Sequence, residues 1–376
     1  MCSTNLNSWV AEFFVGRIEQ HNTMSMHSKI KVLVVDDSAL VRKTIVDTLS
    51  LDPDIEVVGT ANDPLIAMEK IPRLQPDVMT LDMEMPRMDG LTFLRQLKAQ
   101  GSSIKVVVIS SLTTEGSQMA FDAMDAGAID VLAKPDGQMS IGALASKLAF
   151  HVKAAASARR IQPGSQTPTP RAVIPSTAHA ESAVDLRLVV IGASTGGVEA
   201  LRYLLPQLPD GLPPILVAQH IPAFFSKAVA ERINSLAAYT VREAVDDEPL
   251  HAGLCLIAPG NYHLMVVLKN GVYRTRLTQS PPVHHCRPAV DVLFRSAAQV
   301  AGPHVVAALL TGMGSDGAIG MQTVARAGGQ TIAEHESSCV VYGMPRAAIE
   351  LGAAKQVVPL SQMADSLIQS IQDLPL

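Results

Sequence analysis

Short apolar runs alternate with longer amphipathic segments from Lys29 onward. Segments of helical period, such as "ALVRKTIVDTLS" and "GLTFLRQLKAQ", separate the first apolar runs. Short β-branched runs that alternate with helices are typical of a parallel sheet covered on both faces. We therefore predict a doubly wound, five-stranded parallel domain whose functional edge lies at the carboxyl ends of its strands. The predicted strands are "IKVLVV", "IEVVGTA", "DVMTLD", "IKVVVIS" and "AIDVLA".

A second series of the same kind begins at Leu186 and continues to the carboxyl terminus. It predicts another doubly wound, mostly parallel α/β domain. The stretch between the two series, "RIQPGSQTPTPRAVIPSTAHAES", has no period and is rich in Pro, Ser and Thr, which predicts a flexible linker. The predicted order is a first domain over residues 29–150, a linker over 151–183 and a second domain over 184–376. The second set of strands reads "LRLVVIGA", "PPILVAQH", "LCLIAPG", "HVVAALLTG" and "QTIAEH".

Residues 1–28 do not follow either pattern. They have neither the basic start nor the clean apolar core of a signal peptide. We predict a disordered extension, or a start codon assigned too early with Met24 or Met26 as the true start.

Composition narrows the class of protein. The chain has 376 residues, 48% of them hydrophobic, and a net charge of -5 with both signs interspersed, which argues against a nucleic-acid partner. No apolar stretch approaches the roughly 18 residues of a membrane span, so we expect no membrane insertion. Cys2, Cys255, Cys286 and Cys339 form no CxxC pair. They predict free thiols in a reducing compartment, which is a cytoplasmic location.

Charged and hydroxyl side chains follow the predicted strands of the first domain. Asp36 and Asp37 follow the first strand, Asp82 ends the third, Ser110 ends the fourth, and Lys134 follows the fifth. In a parallel sheet these ends share one edge, where the three carboxylates would repel one another without a cation. Carboxylate oxygens suit Mg²⁺, and a lysine and a hydroxyl beside it could hold phosphoryl oxygens. The cluster therefore indicates a site that places a phosphoryl group on Asp82; the alternative is a set of ordinary capping acids.

The segments "VLVVDDSALVRK", "TLDMEMPRMDG", "VVISS" and "VLAKP" resemble the response-regulator receiver domain over about residues 29–150. The resemblance implies phosphorylation of Asp82 by a histidine kinase. It also implies that Mg²⁺ is bound by the acidic cluster of Asp36, Asp37 and Asp82, that Ser110 contacts the phosphoryl group and that Lys134 pairs with it.

The stretch "VVIGASTGG" leads from a predicted strand into a cluster of small residues around Ser194. It lacks the middle glycine of a dinucleotide fingerprint and the Gly-Lys-Ser/Thr of a P-loop. It fits G-x-S-x-G, in which a strained turn exposes a serine hydroxyl at a helix amino terminus. A plain tight turn remains the alternative.

A serine nucleophile needs a base and an orienting acid. His220 ends a neighbouring predicted strand, and Asp316 lies in the glycine-rich loop "TGMGSDGA", whose N–H groups could bind an oxyanion. The order Ser, His, Asp matches no familiar serine-hydrolase order, which argues against an ordinary α/β-hydrolase. The sequence "HHC" offers no second ligand pair for a metal. The other histidines mostly resemble loop or surface residues: His251, His263, His284, His285, His304 and His335.

The segments "VVIGASTGGVEAL", "VAQHIPAFFSKAVAERIN", "LIAPGNYHL", "RPAVDVLFRSAA" and "ALLTGMGSDGAIGM" resemble the catalytic domain of the chemotaxis protein-glutamate methylesterase family, CheB. The resemblance implies Ser194 as nucleophile, His220 as base and Asp316 as orienting acid. Met313 and Thr195 would lie in the oxyanion loop. The implied reaction demethylates glutamyl methyl esters on chemoreceptors and deamidates receptor glutamines, with no cofactor for the esterase step.

The receiver–linker–esterase order implies regulation. We expect the receiver to block the esterase site until phosphorylation at Asp82 opens it. Three other interpretations remain open. The second domain could be a binding adaptor, the chain could be a DNA-binding response regulator, or the esterase could act on another methylated protein.

Overall fold

The computed structural model describes residues 28–110, 114–134, 141–159, 187–223 and 225–375. The predictions for the amino-terminal extension and for linker residues 160–183 lie outside the described residues.

The first domain is a five-stranded parallel sheet with helices on both faces, which confirms the predicted architecture. The strand order is β2-β1-β3-β4-β5, so β1 and β3 lie side by side. Strand β3 is buried along its whole length, as expected for a sheet covered on both faces. The elements are β1 (Ile30–Val35), α1 (Ala39–Leu49), β2 (Ile55–Ala61), α2 (Pro64–Leu74), β3 (Val78–Asp82), α3 (Gly90–Ala99), β4 (Lys105–Ser110), α4 (Thr114–Ala126), β5 (Asp130–Ala133) and α5 (Ile141–Ser157).

Helix α5 extends to Ser157, so the predicted domain boundary at residue 150 falls inside a helix. Its last turns are apolar, and Val152, Ala154 and Ala155 are fully buried. Just beyond the helix, the backbone N–H of Arg159 donates to the carbonyl of Val340 at 2.8 Å. The chain after α5 therefore contacts the second domain directly.

The second domain is built on a seven-stranded parallel sheet of order β14-β13-β12-β6-β7-β9-β8, with an antiparallel hairpin, β10-β11, beside it. This agrees with the predicted mostly parallel α/β domain. The elements are β6 (Leu188–Ala193), α6 (Gly197–Leu204), β7 (Ile215–Gln219), α7 (Ser226–Asn234), β8 (Thr240–Glu243), β9 (Leu254–Ile257), β10 (His263–Lys269), β11 (Val272–Thr278), α8 (Val290–Ala301), β12 (Val305–Leu309), α9 (Ala318–Arg326), β13 (Gln330–Glu334), α10 (Met344–Glu350), β14 (Gln356–Val358) and α11 (Leu360–Gln372).

Close packing at the carboxyl ends of β6 and β12 brings the loops of the second domain together. Every residue of β6 and of β12 is buried. A Cβ added at Gly192 would lie 2.2 Å from Val290 Cγ1, so only glycine lets α8 approach β6 this closely. The amino end of α8 is thus held beside the turns that follow β6 and β12.

The two domains pack against each other through an aromatic and ionic contact. The ring of Phe121 on α4 lies 6.3 Å from that of Phe225, and the guanidinium of Arg202 lies 4.8 Å above Phe121. Arg202 also pairs with Asp125 on α4. These contacts hold α4 and β5 over the carboxyl edge of the second sheet, where the predicted triad lies.

Candidate functional site

Ser194 lies in a strand–turn–helix unit, as G-x-S-x-G predicts. It follows β6 directly, and its N–H donates to the carbonyl of Thr311 at 3.0 Å. Gly196 has a φ of 79°, and a Cβ there would lie 2.5 Å from Val340 Cβ, so glycine is required twice over at this turn. Helix α6 begins at Gly197, which places the Ser194 hydroxyl at a helix amino terminus.

His220 follows β7 and faces Ser194. Its backbone N–H donates to the carbonyl of Ala193 at 3.0 Å, which fixes the two strand ends together. The imidazole Nδ1 lies 3.0 Å from Ser194 Oγ, and Nε2 lies 2.7 Å from Asp316 Oδ2. The structure therefore brings the three predicted triad residues into one hydrogen-bonded chain.

The carboxylate of Asp316 is buried but well supplied with donors. It accepts the N–H of Val290 at 2.7 Å and that of Asp291 at 2.8 Å, both at the start of α8. Burial raises the pKa of Asp316, but the bond and charge of His220 together with the two N–H donors lower it more, and the net shift is downward. Asp316 is therefore held ionised, in position to orient the imidazole.

The charge of His220 depends on its other neighbours. Burial lowers its pKa, but the charges and hydrogen bonds of Cys286 and Asp316 oppose burial and raise the pKa to about 10. The raised pKa favours a protonated imidazole at neutral pH, whereas a general base at this position must be neutral.

Cys286 is the residue of this site that the sequence prediction missed. Its Sγ lies 3.4 Å from His220 Nδ1, which is also the nitrogen that faces Ser194 Oγ. The sequence predicts Cys286 as a free thiol and its two histidine neighbours as loop or surface residues, and no local signal links Cys286 to a histidine 66 residues away.

His263 departs from the prediction of a loop or surface histidine. It begins β10 and is fully buried. Its Nδ1 accepts the N–H of Ala289 at 3.2 Å, and its Nε2 lies 3.2 Å from the carbonyl of Pro281. Burial lowers the pKa of His263, so the ring stays neutral and ties the hairpin to the chain before α8.

The predicted oxyanion loop lies close to Ser194. A Cβ on Gly312 would lie 2.6 Å from Ser194 Cβ, which explains the glycine before Met313. The carbonyl of Thr195 accepts the Thr311 hydroxyl at 3.0 Å, which ties the two turns together. Within the described residues, the backbone N–H groups of Thr195 and Met313 have no hydrogen-bond acceptor.

The first domain covers this site. The side chain of Thr195 donates to Asp130 Oδ2 of β5 at 2.9 Å, and His151 Nδ1 lies 2.8 Å from the same oxygen. A narrow cleft at the contact is lined by Met124 and Asp130 on one side and by Ser194 on the other. Ser194 is consequently only 3% exposed, which leaves no room for a macromolecular substrate.

The acidic cluster of the first domain is assembled as predicted. One carboxylate oxygen from each of Asp36, Asp37 and Asp82 lies within 4.8 Å of the others. Lys134 Nζ lies 2.7 Å from Asp82 Oδ2 and 3.9 Å from Asp36 Oδ2. Ser110 ends β4 at the same edge, and the backbone N–H of Lys134 donates to its carbonyl at 2.8 Å.

One carboxylate oxygen of this cluster lacks a donor in the described part of the chain. Asp36 Oδ2 is buried with no hydrogen-bond partner among the described residues. Burial and the charge of Asp82 raise the pKa of Asp36 to about 6, and burial raises that of Asp82 despite the bond from Lys134. An orphaned carboxylate oxygen in a set of three acids fits a divalent cation with oxygen preference, such as Mg²⁺.

The fold and the two sites define a class: a parallel α/β domain with an acidic cluster at its carboxyl edge, joined to a second α/β domain in which Ser194, His220 and Asp316 form a hydrogen-bonded chain. The family model "CheB methylesterase" matches residues 189–367, and "Response regulator receiver domain" matches residues 32–145. The chain belongs to the CheB methylesterase family, since full-length relatives share nearly half of its residues.

Two such relatives illustrate the similarity. A "Protein-glutamate methylesterase/protein-glutamine glutaminase 2" of Syntrophus aciditrophicus is 47% identical over 92% of this chain and 100% of that protein. A "Protein-glutamate methylesterase/protein-glutamine glutaminase 1" of Xanthomonas campestris pv. campestris is 46% identical over 92% of this chain and 98% of that protein. The crystal structure of the Thermotoga maritima CheB methylesterase catalytic domain aligns with 49% of this chain and 97% of its own, at 42% identity and a TM-score of 0.48.

Among the described residues, no helix combines the length and the apolar character needed to cross a bilayer.

Proposed function

We propose that this protein is a phosphorylation-activated serine esterase that hydrolyses glutamyl methyl esters on chemoreceptors and also deamidates receptor glutamines. The observation that carries the proposal is the hydrogen-bonded chain from Ser194 through His220 to Asp316. The full-length relatives named for both activities support the substrate class.

The esterase reaction follows from this geometry. Ser194 Oγ attacks the ester carbonyl while neutral His220 takes the hydroxyl proton at Nδ1. Asp316 holds the imidazole through Nε2 and stabilises the imidazolium that forms. His220 then gives the proton to the leaving methoxide, methanol departs, and water hydrolyses the glutamyl–serine ester by the same route in reverse.

The backbone N–H groups of Thr195 and Met313 serve as oxyanion donors in this proposal. Both lie in turns that contact Ser194, and neither has an acceptor in the described part of the chain. Loss of one such donor typically costs about 10²–10³-fold in turnover. The amino terminus of α6 adds a favourable field for the developing negative charge.

The acidic edge of the receiver domain would receive a phosphoryl group on Asp82 from a histidine kinase. Asp36, Asp37 and Asp82 would hold Mg²⁺, which neutralises charge on the phosphoryl oxygens when bound. Lys134 pairs with Asp82, and in this proposal it would pair with the phosphoryl group instead. Ser110 lies at the same sheet edge, and its hydroxyl would contact a phosphoryl oxygen.

Activation would uncover the triad. The contacts of α4 and β5 with the esterase domain bury Ser194 in the unphosphorylated form. Phosphorylation that weakens them shifts the chain toward a form open to a receptor helix. The reducing environment implied by free thiols and the absence of a membrane-spanning helix among the described residues support a cytoplasmic enzyme.

The test is methanol release from receptor-containing membranes that carry labelled methyl esters. We expect release to rise when a small phosphodonor is added, and this rise to disappear in Asp82→Asn. Ser194→Ala should abolish release under all conditions, whereas Ser337→Ala, which removes an exposed hydroxyl elsewhere in the same domain, should retain it. No release from the intact protein with phosphodonor would favour an adaptor or a different methylated substrate.

A further inference from the structure

Cys286 is held over the triad histidine by a tight turn. The backbone N–H of Cys286 donates to the carbonyl of Val283 at 2.9 Å, and that of Val283 donates back at 3.1 Å. Between them, His284 and His285 both have positive φ, 51° and 61°. Two consecutive left-handed residues are unfavourable without glycine, so the surrounding structure must impose this turn.

The turn is anchored to the same helix end that orients the triad acid. His284 Nε2 lies 3.0 Å from Asp291 Oδ2, and the N–H of Asp291 donates to Asp316 Oδ1 at 2.8 Å. The carboxylate of Asp291 is further fixed by N–H groups at the start of α9. Cys286 and Asp316 are therefore positioned by one connected set of hydrogen bonds.

Two nucleophilic side chains share one base. His220 Nδ1 lies 3.0 Å from Ser194 Oγ and 3.4 Å from Cys286 Sγ, while Nε2 is bound to Asp316. The site thus contains a Cys–His–Asp arrangement in addition to Ser–His–Asp. Transfer of the thiol proton to Nδ1 gives a thiolate beside an imidazolium that a carboxylate stabilises, which is the arrangement that makes cysteines reactive.

The other described cysteines are in a different environment. Cys255 and Cys339 are both fully buried, and burial raises the pKa of each thiol well above its ordinary value. Cys286 is only partly buried. The described part of the chain therefore provides internal controls for thiol reactivity, since two of its cysteines are buried and unreactive and one lies beside an imidazole.

We propose that Cys286 is a redox modification site, at which hydrogen peroxide forms a sulfenic acid that switches off the triad and that a small thiol removes. The modification itself follows from the Cys286–His220 contact, whereas its effect on ester hydrolysis rests on the proposed function.

The chemistry balances with peroxide and thiol as the only co-reactants. The Cys286 thiolate attacks one peroxide oxygen, an S–O bond forms, and the O–O bond breaks. The leaving hydroxide takes the proton from His220 to give water, so sulfur loses two electrons and peroxide gains them. A thiol then condenses with the sulfenic acid to a mixed disulfide and water, and a second thiol releases Cys286 as free thiol.

The oxidised side chain would disable the base without touching the nucleophile. A sulfenic hydroxyl on Cys286 would donate to His220 Nδ1 and occupy the nitrogen that Ser194 needs. Ser194 would then have no acceptor for its proton, and loss of general-base assistance typically costs about 10²–10⁴-fold.

The first measurement is independent of esterase activity. The folded full-length protein is treated with hydrogen peroxide and a sulfenic-acid probe, and labelling is resolved by peptide mass spectrometry. We expect Cys286 to label at least about tenfold faster than Cys255 and Cys339. His220→Gln should lower the labelling rate of Cys286, because the imidazole no longer takes the thiol proton, whereas a thiol that reacts only because it is exposed would keep its rate. Equal labelling of the three cysteines, or full labelling in His220→Gln, would overturn the proposal.

The second measurement is methanol release before and after peroxide, and again after dithiothreitol. We expect at least a tenfold loss that dithiothreitol reverses. In Cys286→Ala, the ratio of activity before and after peroxide should stay near one, while Cys339→Ala should remain as sensitive as the original protein. Labelled Cys286 with undiminished release would contradict the switch. Absence of release even under reducing conditions would count against the proposed function, and the labelling ratios would still decide whether Cys286 is the reactive thiol.

Discussion

The two sheet edges of this protein shift the pKa of a buried carboxylate in opposite directions. Asp36 in the receiver domain has an oxygen without a donor in the described structure, and its pKa is raised to about 6. Asp316 in the esterase domain accepts two backbone N–H groups and an imidazole, and its pKa is lowered. Both lie at the carboxyl ends of parallel strands, so the fold alone does not decide the charge state.

The difference lies in what each site is built to do. The receiver edge is incomplete by itself, because its repelling acids need a cation and a phosphoryl group to balance them. The esterase edge supplies its own donors, so Asp316 can orient His220 without any added ligand. A regulatory site thus depends on what binds it, whereas a reactive site is organised in advance.

The largest expected effect comes from Asp316→Asn, which removes the charge but keeps the shape of the side chain. The amide can no longer hold the imidazole in the tautomer that accepts the Ser194 proton. We expect turnover to fall by about 10³–10⁴-fold, measured as methanol release with phosphodonor present. The amide oxygen still accepts an N–H from the start of α8, so the fold should persist. A loss of less than tenfold would remove Asp316 from the triad.

A smaller effect is expected from Asp36→Asn in the absence of divalent cation. The folded receiver holds the Asp36 proton between about pH 3.8 and 6, whereas the unfolded chain has released it, so stability falls as pH rises through this window. Asparagine cannot ionise, so the variant does not lose stability as the pH rises. We expect its free energy of unfolding at pH 7 to exceed that of the original protein by about 1–2 kcal/mol.

Hydrogen exchange of peptides from β1 and β3, in the full chain with a chelator, reports this change. The advantage of Asp36→Asn should be complete above pH 6 and vanish below pH 3.8. Added Mg²⁺ should protect these peptides in the original protein more than in the variant. A gain that persists unchanged at pH 3 would mean that the Asp36 charge is not its cause.

The smallest expected effect comes from Asp130→Ala at the contact between the two domains. The variant removes the acceptor of the Thr195 hydroxyl, and because this hydroxyl bonds to water once the domains separate, the net contribution of the bond is about 0.5–1.5 kcal/mol. We expect methanol release without phosphodonor to rise a few-fold, and stimulation by phosphodonor to shrink. Glu69→Ala, which removes an exposed acid on α2, is the matched control. Unchanged basal release would show that this bond does not keep the domains closed.

Much of the fold could be predicted because local pattern and global architecture agree. Strands such as β1 and β12 are buried on both faces and read as continuous apolar runs. The hairpin β10-β11 is absent from the predicted strands, although Asn270-Gly271 between two β-rich segments is a strong hairpin signal. The prediction favoured parallel strands and overlooked an antiparallel pair beside the main sheet.

The site was predictable where each residue follows its own strand. Ser194 and His220 are both at strand ends, and the rule that parallel strands share one functional edge places them together. Cys286 follows no strand of the sheet and reaches His220 only through a turn with two left-handed residues. Asp130 lies in the other domain, and its contact with Thr195 depends on how the domains pack. Tertiary packing of this kind has no signature in a local sequence window.

Strand β5 has only four residues, Asp130–Ala133, and the residues at its two ends contact different parts of the protein. Lys134, just beyond one end, holds the predicted phosphoacceptor Asp82, and Asp130 at the other end holds the neighbour of Ser194. At about 3.3 Å per residue, the extended backbone from Asp130 to Lys134 separates the predicted phosphorylation site from the domain contact by roughly 13 Å. An extended strand cannot lengthen much further, so a displacement of Lys134 would be passed along β5 to Asp130. The shortest strand of the receiver sheet is thus a direct mechanical connection between the two sites.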